Sequence, residues 1–311
     1  MNLRIACGTA HRALASSVSS ALGADTLVGE VERFPDGELR PIVLGVRGDD
    51  VFVVQPTGPP VNDHLVELLL LIDACRRAGA GRVTAVVPYF GYARQDRRNR
   101  DGQAIGARVV AAAIASAGAD RLVVIDPHTV VLEAMFAIPV ETLTAVSAIA
   151  NTLLPAVTPD AVVVAPDLGA VKLAERYASL LGLSVVIVRK TRMSGTTVRA
   201  EELVGQVDGR PAIVVDDMIS SGATIEAAVR LLLDNGARPD VVVAATHGLF
   251  VGEAVERLAK LPLRRLVVTD SLSGVESHAL PVEVTSIAPL LATAIGRLHG
   301  DEPVGELLGG A

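Results

Sequence analysis

Ala212-Ile213-Val214-Val215-Asp216-Asp217-Met218-Ile219-Ser220-Ser221-Gly222-Ala223-Thr224-Ile225-Glu226-Ala227-Ala228-Val229 runs from an apolar stretch through an acidic pair and a small-residue loop into a helical pattern. The apolar run predicts a buried strand over 212–215, and the pattern from Ile225 predicts a helix to Asn235. A strand that turns tightly into a helix is half of a βαβ unit, so this stretch predicts a parallel sheet. Its chemistry is equally readable. The carboxylates of Asp216 and Asp217 leave the strand placed to accept sugar hydroxyls or to hold a divalent cation. Backbone N–H groups around Gly222 and Ala223, with the hydroxyls of Ser220, Ser221 and Thr224, can wrap a phosphate. The helix N-terminus adds its positive dipole end. A phosphorylated sugar would engage every part; a solvated strand end at a Gly/Ser turn fits the same letters equally well.

The same alternation extends along the chain. Apolar runs predict strands at 4–7, 51–55, 83–88, 122–126, 161–166, 184–188, 241–246 and 266–269. Helical patterns fall at 11–22, 62–78, 105–117, 130–136, 145–154, 171–181, 252–260 and 287–298. Strands alternating with helices mean α/β architecture with parallel sheets flanked by helices. A break after Ile138-Pro139-Val140 leaves a βα series on each side. The expected organisation is two similar α/β domains, 1–143 and 144–285, with 286–311 forming a last helix and tail that return to the first domain.

Half of the 311 residues are hydrophobic, only 3% are aromatic and Trp is absent, so the core is expected to be Val, Leu, Ile and Ala. That suits parallel strands covered on both faces. A net charge of −7 argues against nucleic acid as the main ligand. Cys7 and Cys75 are the only cysteines and form no CxxC, which fits a reduced, cytoplasmic setting. Met1 to Ile5 starts as a strand rather than a secretory leader. The richest apolar stretch, Leu65 to Ala74, contains Glu67 and Asp73 and is shorter than the ~20 residues of a membrane span.

Ligands of open parallel sheets sit outside the carboxyl ends of the strands. Four predicted strands end there in acid-bearing polar clusters. These are Tyr89-Phe90-Gly91-Tyr92-Ala93-Arg94-Gln95-Asp96-Arg97-Arg98, Asp126-Pro127-His128-Thr129, Pro166-Asp167-Leu168-Gly169 and the stretch quoted first. Together they point to a site for a polyanion and a metal, drawn from both domains. Each element also has a plainer reading: a solvated basic face for Arg94 to Arg100, a hydrogen-bonded loop histidine for His128, a core aromatic for Phe34. His11, His64, His247, His278 and His299 lie outside these four endings and read as structural.

Taken in order, these endings resemble the ribose-phosphate diphosphokinase (PRPP synthase) family over nearly the whole chain. Arg33-Phe34-Pro35-Asp36-Gly37-Glu38 is similar to the family's RFxDGE loop, and Pro88 to Arg97 to its PY[YF]GYARQDR segment. Asp126-Pro127-His128 is similar to its DLH element, Pro166 to Gly169 to PDxG, Lys190-Thr191-Arg192 to the K-x-R of a catalytic flap. Ser220 replaces a carboxylate common in the PRPP loop, and Pro127 replaces leucine.

The resemblance implies two type I phosphoribosyltransferase-like domains. It implies transfer of the β,γ-diphosphoryl group of ATP to the anomeric hydroxyl of ribose 5-phosphate, giving PRPP and AMP for nucleotide, His and Trp biosynthesis. It assigns Phe34, Asp36, Glu38, Arg94, Gln95 and Asp96 to ATP. Asp167, Asp216, Asp217, Ser220, Ser221, Gly222, Ala223 and Thr224 fall to ribose 5-phosphate. His128, Asp167 and Asp126 fall to Mg²⁺, and Lys190, Arg192 and Arg94 to catalysis. It also implies a cytoplasmic homo-oligomer built on dimers, up to a hexamer, in which Phe34 serves a neighbouring subunit, with no nucleic-acid or membrane partner. A catalytically silent regulatory subunit and a type I phosphoribosyltransferase are the alternatives. The two-domain length and the FPDGE and YARQD segments count against the second.

Overall fold

The computed structural model describes residues 1–28, 30–192, 198–275 and 279–308, with the backbone alone at 25–28, 190–192 and 198–201. The chain forms two compact units. The first comprises Met1–Thr144, Ser271–Ser273 and Ile287–Ala311, the second Ala145–Asp270 and Gly274–Ser286.

The first unit contains β1 (Leu3–Cys7), α1 (Arg12–Leu22), β2 (Asp25–Val28), β3 (Glu30–Arg33), β4 (Leu39–Ile42), β5 (Asp50–Val54), α2 (Val61–Arg77), β6 (Arg82–Val87), α3 (Gly106–Ala117), β7 (Arg121–Ile125) and β8 (Val140–Leu143). Six of these strands form one parallel sheet in the order β2-β1-β5-β6-β7-β8, while β3 and β4 make a separate antiparallel hairpin. Every residue of β5 is buried, as a strand covered on both faces requires. Helix α2 buries Leu68, Leu71, Ile72 and Cys75 on one stripe against Val53, Val83 and Ala85. Gly23 and Gly118, at φ 61° and 109°, end α1 and α3 in the left-handed conformation that glycine adopts without a Cβ penalty.

The second unit contains α4 (Val146–Leu153), β9 (Val162–Ala165), α5 (Val171–Leu181), β10 (Ser184–Arg192), β11 (Val198–Val204), β12 (Ala212–Ile219), α6 (Ala223–Asp234), β13 (Val241–Gly248), α7 (Ala254–Leu258), β14 (Leu263–Thr269) and β15 (Val282–Thr285). Its seven-stranded sheet runs β11-β10-β9-β12-β13-β14-β15, parallel except for the β10–β11 pair. The last helix, α8 (Ala288–His299), packs against α1 within the first unit.

Helix α8 is held at its end by ionic contacts. Asp50, fully buried, accepts from Arg82 Nε at 2.8 Å, Arg82 Nη2 at 2.6 Å and His299 Nδ1 at 2.8 Å. Arg82 also donates to the Leu298 carbonyl at 3.0 Å and to Asp301 at 3.0 Å.

Three readings need correction. Residues 130–136, expected as a helix, form a 3₁₀ segment over Val130–Met135, where Thr129 accepts the Val131 N–H and Phe136 is extended. Strand β12 continues to Ile219, so Asp216 and Asp217 lie inside it rather than beyond its end. Helix α6 starts at Ala223, so Ala223 and Thr224 belong to its first turn rather than to the preceding loop. The structure also contains strands that the apolar runs did not announce, including the hairpin and the edge strands β2, β8, β11 and β15.

Candidate active site

In the first unit β6 and β7 are parallel neighbours, with Val87 opposite Val124, so the segments that follow them share one sheet edge. After β6 the chain makes a turn with Tyr92 at φ 68°, a left-handed conformation that costs a non-glycine residue about 1–2 kcal/mol. The surroundings over-determine it. Thr57 accepts the Gly91 N–H at 2.7 Å and donates to the Tyr89 carbonyl at 3.2 Å. The Tyr92 hydroxyl donates to Asn62 at 2.5 Å, Gln95 N–H to the Tyr92 carbonyl at 2.8 Å, and Ala107 N–H to the Gln95 carbonyl at 3.2 Å. A Cβ on Gly106 would meet Gln95 Oε1 at 2.7 Å and Tyr92 Cδ1 at 2.9 Å, so a side chain there would have to displace the Gln95 amide and the Tyr92 ring. The turn leaves Arg94 and Gln95 exposed and Asp96 half-buried beside Arg97 at 3.6 Å.

After β7, Asp126 takes φ 37° while its N–H donates to the Leu143 carbonyl, and His128 is exposed. Strain at both Tyr92 and Asp126, on adjacent strand ends, is the kind that collects where side chains must be aimed.

Phe34 closes the β3–β4 hairpin. Its N–H donates to the Glu38 carbonyl at 2.8 Å, and Gly37, at φ 96°, donates to the Phe34 carbonyl at 2.9 Å. This is a three-residue loop with its glycine in the left-handed position. Phe34 is half-buried under the Arg40 guanidinium, 5.1 Å from its ring centre, whereas Asp36 and Glu38 are exposed. Asp36 accepts the Glu38 N–H at 3.1 Å.

In the second unit β9 and β12 are parallel neighbours, with Val164 opposite Val214, which carries Asp167 alongside Asp216 and Asp217. Asp167 accepts N–H groups of Gly169 at 3.0 Å and Ala170 at 3.3 Å. Asp216 accepts the Asp217 N–H at 2.9 Å. Burial pushes the Asp216 carboxyl well above the usual carboxylate range, and the charges of Asp217 and Asp167 push the same way. Such a cluster favours a ligand that brings hydroxyl donors or positive charge. Next to it, Gly222 caps α6 at φ 74° with no side-chain bond, so the first backbone N–H groups of the helix have no side-chain cap from that residue. Ser220 and Thr224 are half-buried there and Ser221 is exposed.

The structure therefore gathers Arg94 to Asp96 with Asp126 and His128 on one edge, and Asp167 with Asp216 to Thr224 on another. Lys190 and Arg192 lie in β10 opposite Ala200 and Val198, past an irregularity in register after Arg189. Their side chains, and residue His278, lie outside the described residues. Among the described residues no group of three or more His, Cys, Asp or Glu side chains is arranged to hold a metal ion. Nor is any helix of the described residues long and apolar enough to cross a membrane. Sequence reasoning missed Thr57, Asn62 and Gly106, the supports of the Tyr92 turn; nothing in their neighbours marks them.

A model of the N-terminal domain of ribose phosphate pyrophosphokinase matches residues 3–118, and one of the phosphoribosyl synthetase-associated domain matches residues 193–309. The chain is 42% identical over 310 residues to a ribose-phosphate pyrophosphokinase of Rhodopirellula baltica, covering 98% of each chain. It is 42% identical to one of Maricaulis maris over 98% of this chain and 99% of that one. The crystal structure of phosphoribosylpyrophosphate synthetase from Mycobacterium smegmatis, 38% identical, matches with a TM-score of 0.89 over 97% of this chain and 100% of that one.

Proposed function

The chain belongs to the ribose-phosphate pyrophosphokinase family, and from that premise we propose how its residues divide the work. The reaction moves the β,γ-diphosphoryl group of ATP onto the anomeric hydroxyl of ribose 5-phosphate, releasing AMP. The observation that carries the assignment is the second unit's trio of carboxylates beside a glycine-capped helix N-terminus. Asp216 and Asp217 accept the ribose hydroxyls, which relieves the like-charge crowding that raises the Asp216 carboxyl. Backbone N–H groups from Gly222 to Thr224 and the hydroxyls of Ser220, Ser221 and Thr224 hold the 5-phosphate.

In the first unit, Phe34 offers a face to adenine, with Asp36 and Glu38 at its edge, and it serves a neighbouring subunit of a homo-oligomer. Arg94, held by the strained Tyr92 turn, meets the triphosphate, and Gln95 and Asp96 complete the ATP site. Phosphoryl transfer needs little covalent chemistry from the protein, so positioning and charge stabilisation dominate. Arg94, Lys190 and Arg192 supply that stabilisation, an effect typically of several kcal/mol in a closed site. The protein works in the cytoplasm.

Mg²⁺ fits the donors present. It takes hard oxygen ligands, keeps several waters and is held through one or two carboxylates plus substrate phosphates, so a ready-made cage of three side chains is not required. Asp126 and His128 in the first unit and Asp167 in the second are the donors we assign to it, and when bound it would neutralise phosphate charge. AMP formed from ATP only when ribose 5-phosphate and Mg²⁺ are both present is the expected result. ATP consumption without ribose 5-phosphate, or no AMP at all, would overturn the reading. A phosphoribosyltransferase or a silent subunit would also fail that assay.

A further inference from the structure

We propose that Arg257 is a positioning residue for the phosphate loop Ser220–Thr224 and hence for ribose 5-phosphate, acting through Glu226. The inference rests on the assignment of that loop to the 5-phosphate. Its observations are separate: the segment that follows β13 grips the loop at several points.

The backbone gives the first grip. Leu249 and Phe250 N–H groups both donate to the Ile219 carbonyl, at 2.9 and 3.1 Å, and the Val251 N–H donates to the Ser220 carbonyl at 3.1 Å. Phe250 takes φ 46° to make this double contact. Packing gives the second. Gly222 is buried against α7, and a Cβ there would fall 3.2 Å from Leu258 Cγ and 3.6 Å from Arg257 Cδ. The third is ionic. Arg257 Nη1 donates to Glu226 at 2.9 Å, and Arg230 binds the other carboxylate oxygen through Nε at 3.1 Å and Nη2 at 2.9 Å. Arg257 thus ties α7 to the first turn of α6 across the loop that joins β12 to α6.

Charge gives the tie a second consequence. A carboxylate in the first helical turn competes with a phosphate for the positive end of the helix. Burial raises the Glu226 carboxyl, but its bonds to Arg230 and Arg257 outweigh this and hold it below the usual range. Two guanidiniums therefore offset a negative charge one turn from the phosphate. Remove Arg257, and the loop loses a strut while Glu226 is left less neutralised. Both changes weaken ribose 5-phosphate, and neither touches a residue assigned to ATP. The effect should be moderate, because the pair borders an open polar cavity of about 190 Å³ whose lining includes Glu253, Glu256 and Lys260.

Steady-state kinetics of Arg257→Met, Arg257→Lys, Glu226→Gln and the Glu226→Gln/Arg257→Met double variant test this, with Thr224→Val alongside. The expected result for Arg257→Met is a KM for ribose 5-phosphate raised about tenfold, with kcat and the KM for ATP within about twofold of wild type. Arg257→Lys, which keeps the charge, should recover most of the loss, and the double variant should be no worse than the worse single one. A KM for ribose 5-phosphate unchanged in Arg257→Met, or a KM for ATP rising in step with it, overturns the proposal. If Thr224→Val raises that KM while Arg257→Met does not, the positioning role alone falls. If neither moves it, the phosphate-loop assignment falls too.

Discussion

Replacing Asp50 with Asn should loosen α8 from the first unit. The carboxylate is fully buried and accepts three donors within 2.8 Å, two from Arg82 and one from His299. Removing one partner of a buried ion pair typically costs about 3–5 kcal/mol, because the other charge is left uncompensated. Here the Arg82 side chain remains 26% exposed and keeps Asp301 and the Leu298 carbonyl. Water and those two acceptors recover part of the loss, so we expect about 2–3 kcal/mol. For a unit of this size each kcal/mol moves Tm by roughly 2–4 °C, giving a fall of about 4–12 °C by calorimetry. The control is Glu32→Gln, which breaks the exposed Arg40–Glu32 pair on the hairpin and should cost under about 1 kcal/mol. Hydrogen exchange should show α8 as the first helix to lose protection in Asp50→Asn. A Tm within about 2 °C of wild type, or unchanged exchange in α8, would refute the reasoning that this carboxylate secures the helix.

Other outcomes follow from the assignments. Lys190→Ala and Arg192→Ala should each lower kcat by orders of magnitude while ATP affinity, measured by titration, stays near wild type; wild-type turnover would remove both from catalysis. Asp217→Asn should raise the KM for ribose 5-phosphate far more than that for ATP, and Phe34→Ala should do the reverse; identical patterns would mean the two halves are misassigned. Cys7 and Cys75 are buried, and burial pushes the Cys75 thiol up to about 12 and raises that of Cys7 as well. A thiol reagent at pH 8 should therefore label less than about 0.1 equivalent in the native protein and both cysteines in denaturant, as a mass shift would record.

The parallel-sheet interior was legible because its strands are short runs of Val and Ile with little polar interruption. The run at 122–126 appears as Arg121–Ile125, and that at 83–88 as Arg82–Val87. The β3–β4 hairpin was not legible. Its residues Glu30, Glu32, Arg33 and Arg40 are exposed, and a two-stranded ribbon lying on α2 with Val31, Leu39 and Pro41 half-buried carries no apolar run. Edge strands β11 and β15 escaped notice for a related reason, since one flank of an edge strand faces no neighbour. On the site, motif chemistry singled out the acidic and basic clusters as candidates. Supports that act across long stretches of sequence left no trace: Thr57 holds Gly91, Asn62 holds Tyr92, and Arg257 reaches Glu226. Such pairs become neighbours only through topology, so local patterns carry no sign of them. Glu67 shows the opposite failure. It reads as an interruption of an apolar helix, yet it is buried and accepts from Thr9 N–H, the Thr9 hydroxyl and Gln55.

The membership of α8 in the first unit bears on how the chain emerges from a ribosome. That unit's sheet is complete once β8 has been made, but the helix that covers α1, and the His299 that caps Asp50, come at the far end of the chain. At roughly 5–20 residues per second, the roughly 140 residues between Thr144 and α8 take about 7–28 s to appear. Through that interval the apolar face of α1 and the Asp50–Arg82 pair wait without their cover, while the entire second unit is synthesised. A nascent chain stalled in this window should bind hydrophobic-surface chaperones through α1, and release should coincide with the arrival of α8.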